Sequence, residues 1–546
     1  MLKKITFLFL AICSISQLSF GQWNTATSIN NAICSKAGAQ QDPRIVSDGK
    51  GGAIIAWVDN SSGSGDIYAQ RIDKNGFVKW ATNGVVVNNA IGDQTAVNIT
   101  ETSDGGVILT WTDRRITLDA DIYAQKLDSN GTKLWNSNGA PVVLKVNTQQ
   151  NPKILSDGNG GAFVVYEDSS SSTGMDIGLQ HLSSNGSFTL TGNGLTICNA
   201  NFDQINPRIE TDNTGGAYIV WQDKRGGSFY DIYAQRVDAS GAVQWAANGV
   251  AICTASDGQL NPKIEPDGNG GAIVAWVDKR SGTNYDIYAQ SINSSGTVNW
   301  STNGIAVCTA GGNQSAIELK TIGTSGVVAA WKDDRSGIYS IYMQRINLSG
   351  VLQWNTSGVF VATGINPNLE RDNSSGVIIA FQDSAIGGSW NVYSSRFTVN
   401  GTNLTGSYRV VADTARGQTG PKNISDLHNG SIICWQDNRR GDLDIYCAHL
   451  DSANLTNSLP FITNSSAELL LFPNPTSDRL TVKSGKDLIG NTLSIITTDG
   501  KTVYTQSITN STYALQIDLQ QIPNGFYVLT THNATAVTAT PIQVIH

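Results

Sequence analysis

Histidine, cysteine, methionine and charge are all scarce in this chain of 546 residues, and each scarcity excludes something. The five histidines (His181, His428, His449, His532 and His546) are scattered without metal-ligand spacing, so neither a metal centre nor a cofactor is expected. Charged residues make up 15% and the formal net charge is -8, with no run of Lys or Arg. That balance argues against nucleic acid or an anionic membrane face as partner. Beyond the first residues no stretch is apolar enough to span a bilayer, so no transmembrane segment is expected in the mature chain. No segment keeps a 3.6-residue apolar period, which disfavours helical solenoids.

What the chain has in abundance is repetition. An aromatic followed two residues later by Asp recurs as Trp57/Asp59, Trp111/Asp113, Tyr166/Asp168, Trp221/Asp223, Trp276/Asp278, Trp331/Asp333, Phe381/Asp383 and Trp435/Asp437. Successive anchors stand 50 to 55 residues apart, a period that belongs to propellers, solenoids or arrays. Residues 261–308 show the unit best: a short strand, an Asp-Gly turn at Asp267-Gly268, and the apolar run Ala272 to Trp276. A polar loop, a third strand from Asp286 and a fourth ending at Cys308 follow. Four short strands joined by tight turns make one propeller blade. The fold class read from this is all-β, an eight-bladed β-propeller, with seven blades as the alternative. Trp23 to Cys34 resembles the closing piece of a blade and precedes the first full copy, whereas the last copy lacks that piece. The N-terminal strand is therefore expected to complete blade eight, leaving no open sheet edge.

A motif present in every copy belongs first to the scaffold. In five copies Arg follows the anchor Asp by two residues (Arg115, Arg225, Arg280, Arg335, Arg439), and a second Asp often starts the third strand, as in Asp231, Asp286 and Asp444. Each Arg is expected to bridge the two carboxylates of its own loop. The turns at Asp48-Gly49, Asp157-Gly158 and Asp267-Gly268 lack the ligand spacing of a calcium loop. Cys34, Cys198, Cys253 and Cys308 share one position in separate copies and read as small buried residues. Cys434 and Cys447 instead replace an Ala pair on neighbouring strands, which makes them candidates for a cross-strand disulfide.

Twelve of the thirteen tryptophans sit at two repeated positions; Trp390 stands outside them. The same slot, just before the third strand, holds Tyr230, Tyr285 and Tyr339 in the three preceding copies, and Gly65, Ala120, Met175 and Leu443 in the others. An arc of aromatics on one face of a propeller suits sugar stacking or an apolar protein patch, so these four are the candidate ligand-binding residues. Packing of each ring on its own loop is the competing reading. No catalytic set stands outside the repeat; Glu167 beside Asp168, in the most divergent copy, is the best enzymatic candidate.

The ends set the destination. Lys3 and Lys4 followed by the apolar run Ile5 to Ile12 read as a signal peptide over residues 1–21, with cleavage before Gln22. The propeller is assigned to residues 22–464 and a second domain to 465–546. That last part carries Pro473-Asn474-Pro475, short alternating strands with Asp-Gly and Asn-Gly turns, and Gly525-Phe526-Tyr527-Val528. Physically this is a small antiparallel sandwich. Its motifs resemble the type A C-terminal sorting domain of the type IX secretion system of Bacteroidetes, over about residues 468–546. The resemblance implies that Pro473, Asn474, Pro475, Gly525 and Tyr527 form the sorting motif. It further implies passage through the periplasm and across the outer membrane, with the type IX machinery as a partner. The expected function is an exported binding or adhesion protein, its propeller a platform for a glycan or surface-protein ligand. A glycan-active hydrolase or lyase on the same face, and a structural surface component, are the alternatives.

Overall fold

The structure, a computed structural model, describes residues 23–544 apart from 25, 116–118, 173, 385–387, 453–469, 473–477, 484–486, 498–501, 513 and 533–536. The chain divides into two compact units, Met1–Thr456 and Asn457–His546.

The first unit holds eight four-stranded antiparallel sheets. Blade 5 is typical, with strands Gln259–Pro266, Ala272–Asp278, Asp286–Ile292 and Ile305–Cys308 counted from the axis outwards. Each inner strand packs on the inner strand of the next blade, and that of blade 1 packs on that of blade 8, so the ring is closed. Blade 8 takes its outer strand from the other end of the chain. Asn31–Cys34 pairs with Asp444–Leu450, Asn31 standing opposite Cys447 and Ala32 opposite Tyr446. The eight-bladed reading and the N-terminal closure both hold.

The anchor motif builds a clasp in the second strand, which is covered on both faces. In blade 5 the Trp276 indole N–H donates to the Asp278 carboxylate at 2.7 Å, and the Arg280 guanidinium grips that carboxylate at 2.9 and 2.6 Å. The Arg280 head also donates to the Asn303 carbonyl and to Cys253 Sγ, and lies 3.8 Å above the Tyr288 ring. Blades 2, 4, 6 and 8 repeat the Trp–Asp–Arg–Tyr arrangement. One expectation is corrected: each Arg pairs with the anchor Asp alone. The second Asp is left opposite a like charge, Asp231 across from Asp223, and burial with that charge pushes its carboxyl up to about 6. The cause is orientation: Nε and Nη2 of Arg225 face the anchor carboxylate, and Nη2 also holds the Asn248 carbonyl, which fixes the head away from the second Asp. Of the three blades without Arg, blades 3 and 1 use a lysine from the preceding loop, Lys145 reaching Asp168 at 2.7 Å and Lys36 reaching Asp59 at 3.8 Å, and in blade 7 the Thr363 hydroxyl donates to Asp383.

The closing tryptophans join neighbouring blades. Trp245 Nε1 donates to the Ser294 carbonyl of blade 5, and Gly296 of that turn (φ +85) sits where a Cβ would lie 2.9 Å from the Trp245 ring. At the opposite end of the second strand, the turn aspartates satisfy their own loops. Asp48 accepts from the N–H groups of Lys50 and Gly52 and from Arg71. His181 and His449 occupy the Arg71 position in blades 3 and 8, on Asp157 and Asp426.

The second unit pairs a three-stranded sheet (Leu470–Phe472, Arg479–Lys483, Ala514–Asp518) with a four-stranded one (Thr492–Thr497, Thr502–Ser507, Gly525–His532, Val537–Val544). Leu480, Val482 and Ile517 of the first meet Leu493, Ile495, Leu529, Ile542 and Val544 of the second in one apolar core.

Candidate functional site: the channel and its mouth

Strand direction decides which loops share a face. The loops after each second strand and after each outer strand reach one end of the ring, here called the mouth; the turns after the first and third strands reach the other. The predicted aromatic arc therefore lies on the mouth. Tyr339 is 51% exposed, with the Lys332 ammonium 4.4 Å from its ring centroid. Tyr230, Tyr285 and Trp390 are half-buried. Tyr285 packs against the core between blades 5 and 6, as the packing alternative expects.

The sequence reading missed a neighbour of this arc. Phe202, in the loop entering blade 4, is 52% exposed and adopts φ +63. The equivalent left-handed positions hold Gly38, Gly92, Asn147, Asp257 and Gly312, residues that tolerate that conformation. A bulky side chain held there is a genuine backbone outlier. Its ring approaches Gly227 in the same blade's loop, beside Phe229, which is 53% exposed. The available signal was a large aromatic in a slot that five other blades give to Gly, Asn or Asp.

The channel was missed as well. Each inner strand has a bulge at a left-handed residue (Asp42, Ala96, Asn151, Asn206, Asn261, Ala316, Asn366 and Gly420) where its pairing register shifts. Two residues on, one side chain per blade reaches the axis: Arg44, Asn98, Lys153, Arg208, Lys263, Glu318, Asn368 and Lys422. The tier below carries Glu210, Glu265, Lys320 and Glu370. All of these but Lys153 line a cavity of about 300 Å³. Lys263 donates to both oxygens of Glu318 at 3.0 Å, and Lys320 lies 3.6 Å from Glu265 and 3.5 Å from Glu370. Burial, with Arg208, Arg44 and Lys263 nearby, lowers Lys153 to about 7. Burial with Glu265 raises Glu210. A second cavity at the mouth, about 370 Å³, shares Arg44, Arg208, Lys263 and Lys422.

Glu167 serves as a staple between blades. Its carboxylate accepts from Gln150, from Asn151 and from the Asn206 backbone N–H at 2.8 Å. In the next blade Gln222 does the same for Asn261 N–H. Cys434 and Cys447 stand directly opposite each other, fully buried, as unjoined thiols.

In the second unit Tyr527 is buried and its hydroxyl donates to the Pro523 carbonyl at 2.8 Å, closing the turn that Gly525 leaves. Pro473, Asn474 and Pro475 lie outside the described residues. Residues 470–545 match the secretion system C-terminal sorting domain. The sorting domain marks the chain for export across the outer membrane, to the cell surface or the medium, and implies engagement with the type IX machinery. Among the described residues no helix is long and apolar enough to cross a membrane.

No curated protein matches the chain. Among solved structures, a protein of unknown function from Dyadobacter fermentans is 13% identical over 67% of this chain and 97% of its own (TM-score 0.34). A puromycin-hydrolysing peptidase from Mycobacterium tuberculosis is 11% identical over 76% of this chain and 61% of its own (TM-score 0.43). An α-L-arabinofuranosidase from Fusarium graminearum is 10% identical over 67% and 94% (TM-score 0.35). Similarity this low carries nothing about chemistry, and the eight-bladed architecture rests on the sheets themselves.

Proposed function

We propose that this is an exported binding protein whose propeller mouth is the ligand platform. The observation that carries the reading is Phe202: an exposed aromatic kept in a left-handed backbone position that blades 1, 2, 3, 5 and 6 give to Gly, Asn or Asp. A conformational cost of about 1–3 kcal/mol is retained where it serves a function. Phe229 and Tyr339, with the half-buried Tyr230, Tyr285 and Trp390, extend the apolar surface along the same face. Flat rings of this kind stack on sugar faces or cover an apolar patch of a surface protein.

The test is a glycan array and a hydrolysis screen on the secreted chain, followed by variants. Binding without turnover supports the reading, and turnover would replace it with a hydrolase or lyase. Phe202→Asn removes the ring and relaxes the backbone, so it should raise thermal stability and weaken binding at least tenfold. Tyr339→Ala with Trp390→Ala should weaken it further. Unchanged affinity in all three sinks the platform.

A further inference from the structure

Four cations line one tier of the channel at its mouth end, Arg44, Arg208, Lys263 and Lys422, and a fifth, Lys153, holds the equivalent strand position in blade 3. One carboxylate in that tier, Glu318, neutralises one of them, Lys263. The other four have no carboxylate within ion-pair distance among the described residues. Three of them donate to the carbonyl of the proline just before them, Arg44 to Pro43 at 3.2 Å, Lys153 to Pro152 at 3.1 Å and Arg208 to Pro207 at 2.8 Å. Those bonds orient the cationic heads without neutralising them. The four come from blades 1, 3, 4 and 8, so ring closure brings them together and no local motif does.

A solvated, purely structural cationic ring would be expected to lean on the acidic tier beneath it. That tier is occupied with itself. Lys320 sits between Glu265 and Glu370, and no upper cation reaches a lower carboxylate within ion-pair distance among the described residues. The like charges meanwhile act on one another around the wall, Arg208, Arg44 and Lys263 each opposing the charge on Lys153. From beyond ion-pair distance Asp42 favours Arg44, Glu167 favours Lys153, and Glu318 favours Arg208 and Lys422. Five confined cations with a single ion pair among them are costly, and the arrangement becomes favourable when an anion enters.

We propose that the mouth end of the channel is a binding site for a small oxyanion, free or carried at the end of an acidic sugar chain as a sulfate or carboxylate group. Guanidinium and ammonium donors converging from several blades match the several acceptor lone pairs of such a group. The acidic tier repels it from passing further, so the ligand stops at the level of Arg44 and Lys422. No aromatic of the mouth takes part, so this site stands or falls separately from the platform.

The experiment is thermal unfolding of the whole secreted chain in sodium sulfate against sodium chloride at matched ionic strength. A parallel arm uses a sulfated oligosaccharide and its desulfated counterpart. A bound oxyanion gives a saturable rise in Tm, whereas general salting-out grows without saturation. Lys422→Met and Arg208→Met should each weaken the saturable response at least tenfold. Both should also raise Tm in chloride, because a repulsive charge has gone. A sulfated oligosaccharide that saturates below sulfate, with no effect of the desulfated one, places the anion on a sugar chain; sulfate alone indicates a free oxyanion. Absence of a saturable response in the wild type, a response that survives both variants, or a fall in Tm in chloride for both variants overturns the site. Lys153→Gln provides an independent third readout should either Met variant fail to fold.

Discussion

The Asp278 carboxylate meets an indole N–H, a backbone N–H and two guanidinium N–H groups within 2.9 Å. Lys422, in an inner strand of the same ring, meets no carboxylate within ion-pair distance among the described residues. Both positions recur blade after blade, yet the outer clasp is repeated almost letter for letter while the axial side chain runs through Arg, Asn, Lys and Glu. The difference separates two uses of one repeat. A clasp has to be complete in each blade on its own, because every blade hides an aromatic anchor beside its Asp. The axial position answers to seven other blades, so its chemistry is free to differ at each step around the ring.

The strongest way to break that contrast is to leave a clasp half made. Asp278→Ala strands the half-buried Arg280 head and the buried Trp276 N–H, and should cost about 3 kcal/mol in denaturant unfolding, the low end of the range for a buried ion pair that loses one partner. A cost near zero would make the clasp ornamental. Joining Cys434 to Cys447, where blades 1 and 5 have alanine pairs, should add about 3 kcal/mol for a loop of this length. Non-reducing peptide mapping of the exported protein that recovers two free thiols would remove the bond from consideration.

Gly304→Ala should cost about 2 kcal/mol, the middle of the range for overpacking a core. The new Cβ would lie 2.6 Å from the Trp276 ring at a backbone φ of +84. The smallest effect has the opposite sign. Asp231 has a folded pKa of about 6, above the ordinary 3.8, so the fold holds this proton more tightly than the unfolded chain does. Its contribution is therefore full below about pH 4 and is lost as pH rises through 6. Asp231→Asn should raise stability by about 1 kcal/mol at pH 7, after allowance for solvent screening, and change nothing at pH 4. Equal effects at both pH values would mean that the Asp223–Asp231 repulsion is not the cause.

Much of the fold was legible because it is written eight times. The anchor spacing counted the blades, the unpaired closing piece at Trp23–Cys34 located the seam, and repetition assigned the Asp–Arg loops to the scaffold. The site was less legible. Tyr230, Tyr285, Tyr339 and Trp390 could be placed on one face, but how far each ring is exposed depends on the neighbouring loop: Tyr285 turns into the core and Tyr339 does not. The pairing of each Arg was misread because sequence shows which charges are near in the chain and hides which way each guanidinium faces.

By itself the sequence determined the architecture and the destination: the period, strand alternation and turn chemistry are local, and the sorting motifs are read in order along the chain. Tertiary structure alone decided what the axis contains. Successive members of the set Arg44, Lys153, Arg208 and Lys422 stand 55 to 214 residues apart, and only closure of the ring turns them into one charged tier. The physical reason is that a local motif needs only neighbouring residues, whereas a potential at the centre of a ring is the sum over all its blades.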